Sequence, residues 1–279
     1  MQNLYPLFER NRILRKELLS ALRDYSFAYA GLEYLEYGDG ILRGCDIRIK
    51  EKKITVTPGI IKWGGHIFLM TQEECVDYAP SDRTVTIKLR LQKERTADFV
   101  SCRMELVSDY DALYSDHNAL YSEHDGGSQK HDMESAVVME FELCRYRLQE
   151  GARLRADYKD FEDMGTQYDT VNYIHAAWGC LRGNALSPVI TRRFAQEILK
   201  EEKRDPEDTT FAYLCLSQLG ALPREILIDY VGQRNGCGLL KDAPNEVVFE
   251  EMCRVLGKLR SGMGGERRER TGKRQIIVE

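Results

Sequence analysis

The stretch Thr84-Val85-Thr86-Ile87-Lys88-Leu89-Arg90-Leu91 decides the fold. Val85, Ile87, Leu89 and Leu91 fall on one side of a two-residue period, and Thr84, Thr86, Lys88 and Arg90 fall on the other. This is the pattern of a half-buried strand. A second run sets Val100, Cys102, Met104 and Leu106 against Ser101, Arg103 and Glu105, and the polar residues Lys93 to Asp98 join the two. The pair reads as an antiparallel hairpin with one wet face. A third run sets Val137, Met139, Phe141 and Leu143 against Val138, Glu140 and Glu142. Upstream, the period changes from helical to alternating at Gly38-Asp39-Gly40. Cys45, Ile47 and Ile49 alternate with Asp46, Arg48 and Lys50, Glu51-Lys52-Lys53 turns, and Ile54 and Val56 resume the alternation. Pro58-Gly59 and Gly64-Gly65 punctuate two more short strands. Pro58 has no N–H for a ladder and belongs at a strand end. Residues 38–150 thus form an antiparallel β domain of about six or seven strands.

On either side the period is helical. Leu4, Leu7, Phe8, Leu14, Leu18, Leu19 and Leu22 recur at three- and four-residue spacing, and Tyr25, Phe27, Tyr29, Tyr34 and Tyr37 follow. Residues 1–37 read as a helical arm. Its aromatic stretch either packs on the protein's own sheet or contacts another subunit. After the β domain, Thr170 can cap a helix over 171–182 that Gly183 ends. Ser187-Pro188 and Asp205-Pro206 are cap-and-proline starts. Pro223 begins a further helix, and Val248, Met252, Val255, Leu256 and Leu259 make the last apolar stripe. Each face needs a partner, so the segment 151–262 reads as a helical domain with a bundle of about five helices. The fold class is α+β, with a helical arm, an antiparallel β-rich domain, a C-terminal helical bundle and a basic flexible tail over 263–279.

Composition narrows the function. The 279 residues suffice for about two domains. Apolar residues make up 43% and charged residues 30%, a globular balance. Lys plus Arg is 40 and Asp plus Glu is 45, so the net charge of −5 opposes wrapping long nucleic acid. No apolar run approaches the roughly 18 residues of a membrane span. Glu9, Arg10, Arg12, Arg15 and Lys16 interrupt the N-terminal apolar residues, so no signal-peptide core is expected. The eight cysteines include no C-x-x-C pair. They read as buried, reduced thiols of a protein made in the cytoplasm.

Few residues offer chemistry. The polar loop 108–135 carries a tandem duplication, Asp111 to His117 and Asn118 to His124. His117, His124 and His131 lie there beside Asp116, Glu123, Asp125 and Asp132, the ligand types of a transition ion. On a helix, His117 and His124 would be about 10 Å apart, too far for one ion. A hydrated or partner-contacting loop is the favoured reading, and no metal or cofactor is expected. His66 follows Gly64-Gly65 on a strand, and His175 reads as a core histidine of the 171–182 helix. No G-x-S-x-G or comparable nucleophile setting occurs. Asp157, Asp160, Glu162 and Asp163 read as a solvated face. Gly265 to Lys273 fails as a P-loop, because the glycine spacing is wrong and Arg274 replaces the hydroxyl residue. The tail is more informative. Arg267, Arg268, Arg270, Lys273 and Arg274 suit an anionic partner. Ile276, Ile277 and Val278 could add a strand to a neighbouring sheet. These eight residues are the candidate partner-binding set.

Asp39-Gly40-Ile41-Leu42-Arg43-Gly44, Thr55-Val56-Thr57-Pro58-Gly59-Ile60 and Gly64-Gly65 together resemble a strand module of baseplate and fibre-attachment proteins of bacteriophage tails and tail-like particles. In that module a glycine-marked strand precedes a V-x-P-G strand and a glycine turn. The helical stretch from Asp169 to Asn235, with Phe161 before it, is similar to the helical ends of such proteins. The resemblance implies a structural subunit without catalysis, bound to copies of itself or to other tail or baseplate proteins. It implies cytoplasmic synthesis followed by incorporation into a phage-like particle. Two rivals remain: a metal-dependent enzyme using loop 108–135, and a nucleic-acid-binding or regulatory module using the tail.

Overall fold

The computed structural model describes residues 13, 15–95, 100–109, 137–166 and 168–261. In chain order these form α1 (Lys16–Glu33), β1 (Gly40–Gly44), β2 (Ile47–Lys50), β3 (Lys53–Val56), β4 (Gly59–Trp63), β5 (His66–Met70) and β6 (Glu74–Asp77). There follow β7 (Val85–Arg95), β8 (Val100–Ser108), β9 (Val137–Tyr146), a 3-10 turn (Glu162–Gly165), β10 (Trp178–Cys180) and β11 (Gly183–Ala185). Four helices close the described chain: α2 (Pro188–Lys200), α3 (Pro206–Ser217), α4 (Arg224–Asn235) and α5 (Asn245–Ser261). The class is α+β. The loop residues 110–136, with their three histidines, and the whole tail from 262 lie outside the described residues.

The deciding hairpin forms as its alternation requires. β7 is the centre of a sheet ordered β8-β7-β9, with Leu91 opposite Met104 and Leu89 opposite both Leu106 and Phe141. Ile87, Leu89 and Leu91 are fully buried. On the wet face Lys88 pairs with Asp109 and Glu140, and Arg90 pairs with Glu105 and Glu140. Opposite charges placed directly across strands stabilise the pairing.

The segment 38–77 holds two sheets rather than one. β1 and β4 belong to a five-stranded sheet, β11-β10-β1-β4-β5, and β2 and β3 to a three-stranded one, β2-β3-β6. The chain crosses between them at Gly44-Cys45 going out and at Thr57-Pro58 coming back. Cys45 therefore lies off the strand that its alternation predicted, in a left-handed conformation with φ 54°. A Cβ on Gly44 would sit 2.2 Å from the Pro58 carbonyl oxygen, so only glycine fits this crossing. Asp46 N–H donates to Thr57 Oγ1 at 3.0 Å and Cys45 N–H to Pro58 O at 3.2 Å, which ties the two strands together there. Glu51 and Lys52, both with positive φ, form the expected turn from β2 to β3.

The expected helix over 171–182 does not form. Ala176, Trp178 and Cys180 are all buried, and they alternate. Val171, Ile174 and Trp178 also satisfy a helical spacing, which made the stretch ambiguous. Position decides between the two. Ala177 N–H donates to Glu142 O on β9 at 2.8 Å, and Ile41 N–H on β1 donates to Ala177 O at 2.9 Å. The segment fills a slot between two sheets whose backbone groups a helix would leave unmet. β10 then runs parallel to β1, with Trp178 opposite Ile41. The five-stranded sheet thus draws strands from both sides of residue 150.

The other helix starts are as read. Ser187 Oγ accepts from Val189 N–H at 3.3 Å. Asp205 and Asp208 form a reciprocal capping box on α3. Gly236, with φ 67°, ends α4. Phe161, Phe194, Phe211, Tyr230 and Phe249 interlock among the helices, with Phe211 and Tyr230 stacked at 3.7 Å. Asp163 is not on a solvated face. Arg155 grips it through two hydrogen bonds of 2.7 and 2.8 Å, and Lys159 N–H and Thr166 Oγ1 also donate to it. One continuous core runs from Ile41 to Leu259. All eight cysteines are free; Cys45, Cys144, Cys180 and Cys215 are buried as expected, whereas Cys75 and Cys237 are exposed.

Candidate interaction surfaces

The arm is fastened to the sheet at the C-terminal end of α1. Its anchor is Lys62, in the apolar strand Gly59-Ile60-Ile61-Lys62-Trp63. The side chain is 8% exposed, and its Nζ donates to the carbonyls of Tyr34 at 2.7 Å, Leu35 at 3.0 Å and Tyr37 at 2.6 Å. These carbonyls lie just past α1, where the negative end of the helix favours a cation. Arg182 N–H to Glu36 O at 2.8 Å and Gly38 N–H to Cys180 O at 3.0 Å complete the junction. Lys62 escaped the sequence reading. Its one signal is a single charge inside an otherwise apolar strand.

Beyond that anchor, no residue of α1 is buried. Leu22 is 49% exposed, Tyr29 63%, Phe27 71% and Leu32 73%. The two ends of this aromatic stretch differ: Tyr34 and Tyr37 are half-buried where the chain meets the sheet, and Tyr37 bridges Leu181, whereas Phe27 and Tyr29 are exposed. A row of large apolar side chains on one helix is more than the scattered exposure of an ordinary surface. A smaller apolar patch lies at the start of β9, where Val137, Val138 and Met139 are exposed on an outer strand.

A cleft of about 650 Å³ lies between β9 and α5, lined among others by Arg145, Arg147, Glu162, His175, Glu246 and Cys253. His175 is not in a helical core. It precedes β10, is partly exposed, and its Nε2 lies 3.0 Å from Glu246 Oε1. The cleft's thiol is a poor nucleophile: burial, then the charges of Glu162 and Glu250, push Cys253 up to about 12. Burial likewise raises Cys45 and Cys215 to about 12. His66 is exposed, with Nδ1 3.0 Å from Gly64 O and its ring stacked on Phe68. Among the described residues, no group of three or more His, Cys, Asp or Glu side chains is placed to hold a metal ion. No helix among them is long and apolar enough to cross a membrane. The candidate tail residues Arg267, Arg268, Arg270, Lys273, Arg274, Ile276, Ile277 and Val278 lie outside the described residues, as do His117, His124 and His131.

No family model matches the chain, and no curated protein matches it. Among solved structures it is similar to one titled "Crystal structure of TssK", at 9% identity and a TM-score of 0.40, over 95% of this chain and 73% of that one. A likeness this loose leaves the functional reading to the residues themselves.

Proposed function

We propose that this chain is a structural subunit of a phage-tail-like assembly and acts through protein–protein interfaces rather than catalysis. The observation that carries the reading is α1: a helix with no buried residue and a row of exposed large apolar side chains, fastened to the sheet by Lys62. The glycine-marked motifs that resemble the tail-protein module lie at the same junction. Gly40 to Gly44 form β1, Pro58-Gly59 opens β4, and Gly64-Gly65 turns β4 into β5. Of these strands, β4 is also the one whose Lys62 holds the arm. The partners on this reading are copies of the chain and other tail or baseplate proteins, and its working location is the assembled particle after synthesis in the cytoplasm.

The test is light scattering on size-exclusion fractions of the purified chain, alone and mixed with the products of adjacent genes. The reading expects a multi-chain mass in at least one sample. A one-chain mass in every sample overturns it.

A further inference from the structure

One outer strand has the sequence of an inner one. β5 reads His66-Ile67-Phe68-Leu69-Met70, yet it lies at the edge of the five-stranded sheet. Continuous apolar runs belong to strands covered on both faces, and native edges are guarded by charge, proline or a bulge. β5 carries none of these. It pairs with β4 without a break, from His66 opposite Trp63 to Met70 opposite Gly59. The turn between them, Gly64-Gly65, has φ of 55° and 77°. A two-residue turn of this kind closes on a hydrogen-bonded pair, and bonded pairs then alternate along the ladder. Phe68 and Met70 therefore bond toward β4, and Ile67 and Leu69 turn their N–H and C=O groups to the outer edge. α1 comes near β5, but among the described residues no backbone hydrogen bond meets those four groups. Beside Leu69 lies a groove of about 590 Å³, whose walls include Ile60, Met70, Pro188, Arg192 and Leu219. Leu69 is 58% exposed there and Leu219 68%.

We propose that Ile276-Ile277-Val278 of the same chain add to β5 as a sixth, antiparallel strand of this sheet. Ile277 lies beside Leu69 in the groove, and Ile276 and Val278 flank Met70 and Phe68 on the opposite face. The inference goes beyond the structural-subunit reading, because it concerns how the chain completes its own sheet. Chemistry, reach and charge select this occupant. An edge that is apolar on both faces takes a strand that is apolar at consecutive positions, and β-branched residues fit it best. Ile276 to Val278 are the one run of consecutive β-branched residues outside the described set. The apolar N-terminal stretch Leu4-Tyr5-Pro6-Leu7-Phe8 contains a proline, which cannot complete a ladder. Arg260 Nε bonds Glu201 Oε1 at 3.1 Å, which places the end of α5 beside the end of α2. Pro188 and Arg192, which line the groove, lie toward the other end of that 13-residue helix, about 20 Å away. The 15 residues from Ser261 to Ile276 span up to about 50 Å. A tether of this length holds the strand at an effective concentration of about a millimolar, above that of a second copy in dilute solution. The antiparallel sense leads the chain in past the exposed Glu73 and Glu74, so Lys273 and Arg274 enter beside carboxylates.

The test is amide hydrogen exchange on the full chain, read at single residues by fragmentation in a mass spectrometer. The Ile67 and Leu69 amides are expected to exchange more than about tenfold more slowly in the wild type than in a variant carrying Ile276→Ser, Ile277→Ser and Val278→Ser. Amides of the central strand β7 are expected to match in the two proteins, which shows that the variant is folded. The protection is expected to be equal at about 5 and about 100 μM, as a tethered strand requires. In the reciprocal variant, Leu69→Lys, trypsin is expected to cut after Arg274 faster than in the wild type. Equal exchange at Ile67 and Leu69 in the two proteins, or unchanged cleavage in Leu69→Lys, overturns the inference. Protection that grows with concentration also overturns it, since the strand then comes from another copy. None of these outcomes touches the structural-subunit reading, which is decided by mass and by binding to the products of adjacent genes.

Discussion

Lys62 and Asp163 show how a single side chain sets the placement of a whole segment. Lys62 holds three carbonyls at the root of the arm. Lys62→Met keeps most of the apolar stem and removes the donor. Loss of hydrogen bonds to a buried charged group predicts a destabilisation of about 2–3 kcal/mol in urea unfolding, with faster proteolysis near residue 35. Asp163 is held well below the usual carboxylate range, first by its hydrogen bonds from Arg155 and then by Lys159 N–H and Thr166. The depressed value means this contribution is full above the unfolded carboxyl's pKa of about 3.9 and is lost as the pH falls toward the folded value. Asp163→Asn is therefore expected to cost about 1–3 kcal/mol at neutral pH. The gap between variant and wild type should narrow below about pH 4, measured as unfolding midpoints across that range. Neither role was legible in the sequence. Lys62 stands among apolar neighbours without a motif, and Asp163 stands among acids that read equally well as a solvated face. What distinguishes each is a partner brought close only by folding.

Elements were more legible than single residues where a local signal and the tertiary need agreed. The β7–β8 hairpin, β9 and the helix starts at Ser187-Pro188 and Asp205-Pro206 formed as periodicity and capping chemistry predict. The capping box makes a measurable claim: Asp205→Ala is expected to destabilise the chain by about 1–2 kcal/mol in thermal or urea unfolding, since it removes acceptors for Glu207 and Asp208 N–H and a partner of Arg234. The stretch 171–182 is the counter-case. Its buried residues fit both periods, and the choice was made by backbone groups of β1 and β9 that lie more than 30 residues away in the chain. Cys45 departs from its strand because the chain changes sheets there, at a glycine whose reason is a close approach rather than a local turn.

At the scale of the molecule, the slot filled by residues 177–180 joins the early and late parts of the chain into one core, and Gly40 guards it. Gly40 has φ 138°, and a Cβ there would meet Ala177 O and Gly179 N at 2.8 Å each. Gly40→Ala is expected to lower stability by about 1–3 kcal/mol from backbone strain alone, read as a fall in the unfolding midpoint of the whole chain rather than of one part. The candidate surface was half legible. The sequence displayed the aromatic helix and left open what it packs against, because periodicity reports an apolar face and not its partner. Among the described residues, α1 buries no side chain and the sheet holds its root, so the central claim concerns an assembly. Its most direct test is to purify tail-like particles from the source cells and quantify this chain by mass spectrometry. The account predicts the chain in the particles at a fixed ratio to the other tail proteins. Its absence from particles, together with a one-chain species in the soluble fraction, would contradict the account.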